Sequence, residues 1–264
     1  MNRIEERLQK LKSEQKKAFI TYMTAGLPDF EQTKAIIRTQ ESAGTDIIEL
    51  GVPFSDPVAD GPVIQNASYR AICQGVTLQG VLDMMGELRS EGVNIPIVFM
   101  MYYNTVLHYG VEKFVNACIT AGVDGLIIPD LPKEEQDEIR KYLDTQEQAP
   151  ILIQLVSPVS KERIPEIVKD ARGFIYCVSS MGVTGQASSF HRTIVEYLES
   201  VKEASKIPVM MGFGICTAAD LEPMKHTIDG AIVGSHFIRL MEEHNYDLDA
   251  VRDYCETFKR ELNQ

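Results

Sequence analysis

The sequence predicts an α/β fold, specifically a single (β/α)8 TIM barrel with an extra N-terminal helix. Short apolar, β-rich runs alternate with longer amphipathic stretches along the 264 residues, and the runs number eight. No Gly-x-Gly-x-x-Gly turn follows the first run. Eight such units favour a closed barrel over an open doubly wound sheet, which usually has five or six strands.

The predicted elements follow one another in a regular order. A short amphipathic helix carrying Ile4, Leu8 and Leu11 precedes the first strand. The predicted strands are Ala18–Met23, Asp46–Leu50, Pro96–Met101, Gly125–Ile128, Ile151–Leu155, Phe174–Val178, Pro208–Met211 and Gly230–Val233. The predicted helices are Phe30–Ala43, Leu78–Glu91, Val111–Ala121, Glu134–Gln146, Lys161–Ala171, Thr193–Ala204, Ala218–Lys225 and a closing Leu248–Leu262. Helical crossovers of this length predict parallel strands.

Two connections are longer than a barrel needs: Gly51 to Val76 after the second strand, and Ser179 to Phe190 after the sixth. Strand-to-helix loops lie at the carboxyl ends of the strands, where barrel enzymes place their chemistry. We therefore expect the functional site on that face. No linker or low-complexity tract interrupts the chain, so residues 1–264 are predicted to form one domain.

Composition limits the partners and the compartment. Lysine and arginine total 26 against 38 aspartate and glutamate residues, and this net charge of -12 disfavours nucleic acid and anionic membranes as partners. Five widely spaced cysteines without a Cys-x-x-Cys pair are typical of a reducing compartment. The charged amino end has no room for a signal peptide, and the apolar run Ile95–Tyr103 is too short to cross a bilayer. We expect a cytoplasmic protein.

Two acidic residues are candidates for chemistry. Alternation along Asp46–Leu50 puts Ile47 and Glu49 on one face of the strand, which directs Glu49 into the barrel mouth if the other face packs on helices. Asp60 lies eleven residues later, in a loop stiffened by prolines and a glycine. Two carboxylates in different surroundings can divide acid and base roles. Alternatively, Glu49 pairs with an interior cation and Asp60 is a turn residue.

Glycines after the last three strands predict a phosphate site. They occur in Gly182-Val-Thr-Gly185, in Gly212-Phe-Gly214 and in Gly234-Ser235. Barrel enzymes often bind phosphate at the last two loops through backbone N–H groups and a helix N-terminus. Aromatic and apolar side chains at strand ends could line a flat pocket beside it, although each alone is more often part of a barrel core than a ligand contact: Tyr22, Met100, Tyr102, Tyr176 and Phe213. The five histidines have no metal-ligand spacing, so no metal is expected.

At this point the stretch from Glu49 to Pro62, Glu-Leu-Gly-Val-Pro-Phe-Ser-Asp-Pro-Val-Ala-Asp-Gly-Pro, resembles the signature of tryptophan synthase alpha chains. Further matching motifs span nearly the whole chain: Tyr22-Met-Thr-Ala-Gly26-Leu-Pro-Asp, Met101-Tyr-Tyr-Asn104, Pro129-Asp-Leu-Pro132 and the three glycine motifs. The resemblance implies cleavage of indole-3-glycerol phosphate to indole and glyceraldehyde 3-phosphate. It also implies assembly with a beta chain, as an alpha2-beta2 heterotetramer, in which the beta chain holds pyridoxal phosphate while this chain needs no cofactor.

The resemblance also implies roles for individual residues. Glu49 would move protons at indole C3 and at the glycerol hydroxyl, Asp60 would accept the indole N–H, and Tyr176 would position the glycerol region. The phosphate-binding residues would be Gly185, Gly214, Gly234 and Ser235. The indole pocket would comprise Tyr22, Ile64, Met100 and Phe213. Thr184 would close a loop toward Asp60.

Departures from the family pattern are small. Tyr22 stands where many members have Phe, Met100 where Leu is frequent, and Ser180-Met181 where some have Arg-Ala. These differences concern pocket polarity and loop closure. Two alternatives stay open at this point: another phosphate-binding barrel, such as a sugar-phosphate isomerase or epimerase, and a mainly regulatory subunit that activates the beta chain.

Overall fold

The computed structural model describes residues 1–178, 187–212 and 214–264, with backbone alone for residues 187–192. The strands are β1 (Ala18–Thr24), β2 (Ile47–Gly51), β3 (Ile97–Met100), β4 (Gly125–Ile127), β5 (Ile151–Leu152), β6 (Gln154–Val156), β7 (Ile175–Cys177), β8 (Val209–Met211) and β9 (Gly230–Val233). The α-helices are α1 (Arg3–Ser13), α2 (Phe30–Ser42), α3 (Pro62–Cys73), α4 (Leu78–Ser90), α5 (Tyr103–Tyr109), α6 (Val111–Ala121), α7 (Asp137–Leu143), α8 (Ile164–Val168), α9 (Ala187–Ala204), α10 (Ser235–Glu243) and α11 (Leu248–Leu262).

The strands of the described residues form one parallel sheet in the order β5-β4-β3-β2-β1-β9-β8-β7-β6. Its edge strands β5 and β6 are consecutive in the chain and are separated by Ile153 alone. The Ile153 N–H donates to the Leu126 carbonyl at 2.9 Å, which extends the pairing with β4. The sheet is therefore closed into the predicted barrel, and the fifth predicted strand is divided in two.

Several helices differ from the prediction. Helices α3, α5 and α10 were not predicted, and α3 occupies much of the connection expected to be a long loop. Pro62 begins α3, a position where its missing N–H would have no helical partner. The segment predicted as a helix over residues 218–225 is a 3₁₀ turn, Ala218–Met224, because Pro223 cannot donate an α-helical hydrogen bond. The predicted helices over 134–146 and 161–171 are shorter and follow 3₁₀ turns, Lys133–Glu135 and Pro158–Arg163. No helix in the described ranges is long and apolar enough to cross a membrane.

Buried side chains form two clusters, one on each side of the sheet. The inner cluster fills the barrel and includes Ile47 and Phe174, while the larger one lies between the strands and the surrounding helices. Helix α1, the predicted extra helix, joins the inner cluster through Ile4. A Cβ atom on Gly125 would lie 2.9 Å from Ile4 Cδ1, so the glycine at the start of β4 allows Ile4 to approach the strand closely. Helix α1 therefore closes the amino-terminal end of the barrel.

Three aspartates tie the strands together at this closed end. Each directly precedes a strand and accepts a backbone N–H from a neighbouring strand: Asp46 from Phe19 at 2.6 Å, Asp124 from Ile97 at 2.8 Å, and Asp229 from Val209 at 2.8 Å. Each also pairs with cations: Asp46 with Arg7 and Lys259, Asp124 with Arg3 and Arg89, and Asp229 with Lys202. The amino-terminal face is thus stabilised by carboxylates whose charge is neutralised locally.

Candidate active site

A cavity of about 600 Å³ opens at the opposite end, where the strands end. The sequence-predicted residues that line it are Glu49, Asp60, Tyr176, Gly214, Gly234, Ser235, Tyr22, Ile64 and Met100. Three further predicted residues, Thr184, Gly185 and Phe213, lie outside the described residues. The cavity therefore brings these nine residues together, whereas Tyr102, also a candidate for the pocket, is not among the residues that line it.

Strand β2 directs Glu49 into the cavity. Ile47 belongs to the inner cluster, whereas Ile48 and Leu50 pack in the outer one, so alternation turns Glu49 inward. The residue is only 1% exposed, and neither carboxylate oxygen has a hydrogen-bond partner among the described residues. Burial raises the pKa of Glu49 to about 8, helped by the Asp60 charge and opposed by the nearby Tyr176 hydroxyl, which does not reach hydrogen-bond geometry.

Asp60 lies on the loop before α3 and is held by a single phenol. The Tyr102 hydroxyl donates to Asp60 Oδ2 at 2.9 Å and accepts the Ala59 N–H at 3.0 Å. The Phe54 ring stacks on the Tyr102 ring with centroids 5.1 Å apart. Burial raises the pKa of Asp60 to about 6, and the Tyr102 hydrogen bond limits the rise. Stiffness of the loop was expected from its prolines, but the contact that fixes the carboxylate comes from the end of β3.

Two tyrosines, the buried Tyr22 and the half-buried Tyr176, form a wall of the cavity, and each needs a glycine beside it. A Cβ on Gly51 would overlap the Tyr22 ring, and a Cβ on Gly212 would lie 2.7 Å from the Tyr176 ring. Burial raises the pKa of both phenols far above their usual range, so both hydroxyls stay protonated donors. Gly212 was expected in the phosphate motif, and the structure gives it a packing role beside Tyr176.

The predicted phosphate end lies at Gly214 and at the start of α10. Gly214 has a φ of +64° with open space around it, which leaves its backbone accessible. Gly234 precedes α10, and no side chain caps the first turn of that helix. Uncapped N–H groups at a helix N-terminus favour an anion.

Sequence reasoning missed several residues that line the same cavity: Ser157, Ser160, Cys216, His236 and Arg239. His236 and Arg239 belong to α10, so predicting that helix from its apolar residues Phe237, Ile238 and Met241 would have placed them beside Ser235. The two serines follow the fifth predicted strand in a 3₁₀ turn, and no feature of the sequence distinguished them.

Comparison with known proteins gives a consistent result. The chain matches the family model described as tryptophan synthase alpha chain over residues 8–264. It is 66% identical over 263 residues to the tryptophan synthase alpha chain of Lachnospira eligens, with 100% of both chains covered. It is 46% identical over 252 residues to that of Alkaliphilus metalliredigens, with 95% of this chain and 93% of the relative covered.

Solved structures agree with this. The tryptophan synthase alpha subunit of Legionella pneumophila superposes with a TM-score of 0.88 at 34% identity, covering 99% of this chain and 98% of that one. A chain from the ligand-free tryptophan synthase of M. tuberculosis superposes with a TM-score of 0.86 at 32% identity, covering 99% of both chains. The similarity therefore extends over the whole barrel.

Proposed function

The chain belongs to the tryptophan synthase alpha chain family, and from that premise we infer that it is a carbon-carbon lyase of tryptophan biosynthesis. Its substrate is indole-3-glycerol phosphate, which it splits into indole and glyceraldehyde 3-phosphate. We propose that the cavity at the carboxyl ends of the strands is the reaction site. One observation carries this proposal: a buried, unpartnered Glu49 shares the cavity with Asp60.

The different surroundings of the two acids divide their roles. With pKa values of about 8 and about 6, Glu49 holds its proton at neutral pH while Asp60 has lost its own. Glu49 is then a proton donor and Asp60 an acceptor, each near the pH at which it must work. The Asp60 charge contributes to the raised pKa of Glu49, so ionisation of one acid affects the other. Glu49 has the higher pKa because it is buried without a hydrogen-bond partner among the described residues.

The reaction proceeds by proton transfers. Glu49 donates its proton to C3 of the indole ring, and the resulting cationic ring becomes the electron sink for the bond to the glycerol chain. Asp60 accepts the indole N–H and stabilises the positive charge. The C3–carbon bond breaks as the adjacent glycerol hydroxyl loses its proton to the Glu49 carboxylate, which restores the acid and leaves an aldehyde. Tyr176 positions the glycerol region by donating from its protonated hydroxyl.

We propose that the substrate lies with its ring between Tyr22, Ile64, Met100 and Phe213 and with its phosphate at Gly185, Gly214, Gly234 and Ser235. Support comes from the described members of both sets, which line one cavity. Closure of the loop bearing Thr184 over Asp60 would exclude water. The proton transfers need no cofactor in this chain.

A beta chain that carries pyridoxal phosphate is the proposed partner, in an alpha2-beta2 assembly. Three large hydrophobic side chains are exposed in segments that follow strand ends around the mouth: Val58 at 81%, Leu107 at 49% and Val159 at 86%. Exposed apolar residues clustered at one face are typical of an interaction surface. A partner bound there could receive indole directly from the cavity.

Two further proposals concern the chain as a whole. We propose that residues 1–264 fold as one domain, because the two ends of the chain meet on the barrel: the Lys17 N–H donates to Asn263 Oδ1 at 2.7 Å. We also place the protein in the cytoplasm, which suits five cysteines that form no disulfide.

The role assignment is tested by measuring indole release from indole-3-glycerol phosphate, with and without a beta chain. Glu49→Gln and Asp60→Asn should each lower kcat by roughly 10²- to 10⁴-fold, the usual contribution of a general acid or base. Glu147→Gln, which changes an exposed glutamate far from the cavity, should not. Near-normal cleavage by Glu49→Gln would show that the assignment is wrong.

The same assay separates the alternatives. A sugar-phosphate isomerase or epimerase would act on pentose phosphates, which this cavity should not turn over. A purely regulatory subunit would activate a beta chain without needing Glu49 or Asp60. We expect weak cleavage by the chain alone and stimulation by the partner, and no stimulation would remove the partnership proposal.

A further inference from the structure

The negative charge of the substrate phosphate must be balanced by positive charge at its end of the cavity. A phosphate monoester carries up to two negative charges at neutral pH, and here it must enter a cavity that contains Glu49 and Asp60, in a chain of net charge -12. Backbone amides at a helix N-terminus supply only about half a positive charge. Among the described residues that line the cavity, Arg239 is the sole arginine or lysine, and His236 is the sole histidine.

Helix α10 directs both side chains toward the predicted phosphate position. Arg239 lies four residues after Ser235 and three after His236, so the three share one side of the helix. Side chains in an α-helix lean toward its N-terminus, which brings the Arg239 guanidinium back over the first turn. The same turn provides the uncapped N–H groups that follow Gly234.

Both side chains are available for a ligand. Neither Arg239 nor His236 has a hydrogen-bond or ion-pair partner among the described residues. The His236 ring packs against the Tyr254 ring, with centroids 5.4 Å apart, and this contact leaves the ring nitrogens unbonded. The Tyr254 hydroxyl donates to the Cys216 carbonyl at 2.8 Å. Tyr254 therefore contacts two residues that line this end of the cavity, His236 and Cys216.

The acid that interacts with His236 is held by its own turn. Asp220 interacts electrostatically with His236, but its Oδ2 already accepts the N–H groups of Cys216 at 2.9 Å and Thr217 at 2.8 Å. The Asp220 carboxylate is therefore committed to its own turn. Arg239 is an exposed side chain that forms no ion pair among the described residues, whereas the half-buried Arg70 and Arg89 are both paired.

We propose that Arg239 and His236 bind the phosphate of the substrate and thereby fix its direction in the cavity. The inference rests on the proposed function and adds side-chain ligands to the backbone site. Arg239 offers planar, paired N–H donors that suit phosphate oxygens, and His236 offers one ring N–H or two. With the phosphate held at α10, the ring would lie toward Glu49 and Asp60, which line the same cavity.

The test compares Arg239→Gln, His236→Ala and the double variant with wild type in the complex with a beta chain. Each single substitution should raise KM for indole-3-glycerol phosphate, by about tenfold for Arg239→Gln, while kcat changes by less than about twofold. Tenfold corresponds to about 1.4 kcal/mol, which is within the range for a charge-assisted hydrogen bond. Arg260→Gln is the matched control, since it removes one exposed positive charge on α11, and its KM should stay at the wild-type value.

Binding of two probes to the isolated chain gives a second readout that needs no turnover. Inorganic phosphate should bind about tenfold more weakly to Arg239→Gln, whereas indole, which has no phosphate, should bind as to wild type. Unchanged phosphate affinity in the double variant would overturn the inference, as would equal weakening of phosphate and indole. A chain that binds phosphate through these residues but cleaves no substrate would instead refute the proposed function alone.

Discussion

Asp46 directly precedes strand β2, and Glu49, three residues later, is the middle residue of that strand. Both side chains are buried, with at most 1% of their surface exposed. Asp46 accepts the Phe19 N–H and pairs with Arg7 at 2.6 Å and with Lys259. Glu49 has no such partner among the described residues. Cationic partners favour the charged form of a buried carboxylate, whereas burial without them favours the protonated form. One short segment of the chain therefore carries a structural acid, Asp46, just before β2 and a chemical acid, Glu49, within it.

The two faces of the barrel repeat this difference. At the amino-terminal face Asp124 pairs with Arg3 and Arg89, and those contacts hold α1 and α4 against the strands. At the carboxyl-terminal face Asp60 has only the neutral Tyr102 hydroxyl. Burial raises the pKa of both acids, but only at Asp124 do cations oppose the rise. Acids paired with cations stabilise the amino-terminal face of the barrel, whereas acids without a cationic partner among the described residues lie at the carboxyl-terminal face, where the proposed reaction takes place.

Removing the structural acid should have the largest effect on stability. Asp46→Asn would leave Arg7 and Lys259 without their shared carboxylate, and loss of one partner of a buried ion pair typically costs about 3–5 kcal/mol. Denaturant unfolding should show a loss of this size. Asp144→Asn, at an exposed carboxylate 3.7 Å from Arg140, should cost less than about 0.5 kcal/mol. Equal small losses in both variants would break the comparison between the two faces.

Removing the chemical acid should do the opposite and stabilise the fold. Between its ordinary pKa of 4.5 and about 8, native Glu49 keeps a proton that the unfolded chain releases. Wild type therefore loses stability as the pH rises through this window, and the loss is complete above about pH 8. The Glu49→Gln variant cannot ionise, so its free energy of unfolding should exceed that of wild type by an amount that grows from pH 4.5 and reaches roughly 2 kcal/mol at pH 8. This difference is well below the upper limit, which is about 1.4 kcal/mol for each unit by which the pKa of Glu49 is raised. A pH-independent difference in thermal midpoint would refute this explanation.

A smaller effect should follow from the hydroxyl that holds Asp60. Tyr102→Phe removes the hydrogen bond that limits the pKa of Asp60, so that pKa should rise above about 6. Less Asp60 is then ionised at neutral pH, the acidic limb of the kcat/KM profile moves to higher pH, and kcat/KM at pH 7 falls by roughly 3- to 10-fold. Tyr103→Phe loses a hydroxyl bonded to Glu138 at 3.0 Å outside the cavity and should leave the profile unchanged.

Periodicity was enough to predict the barrel and the inward direction of Glu49, because both depend on local patterns of apolar residues. The periodicity of the sequence could not predict which acid would be paired with a cation. Lys259 reaches Asp46 across 213 positions of the chain, and Tyr102 reaches Asp60 across 42. Such pairings exist only once the barrel closes. Helix α10 is a different case, because its local pattern of apolar residues was sufficient to predict it, but Gly234-Ser235 at its start was interpreted only as a loop motif.

The charge on Glu49 at neutral pH tests the account most directly. An infrared or NMR titration of its carboxyl group, identified by difference from Glu49→Gln, should show a protonated acid at pH 7 that titrates near 8 while Asp60 is already ionised. A Glu49 carboxylate that titrates near 4.5 and is fully charged at pH 7 would contradict it.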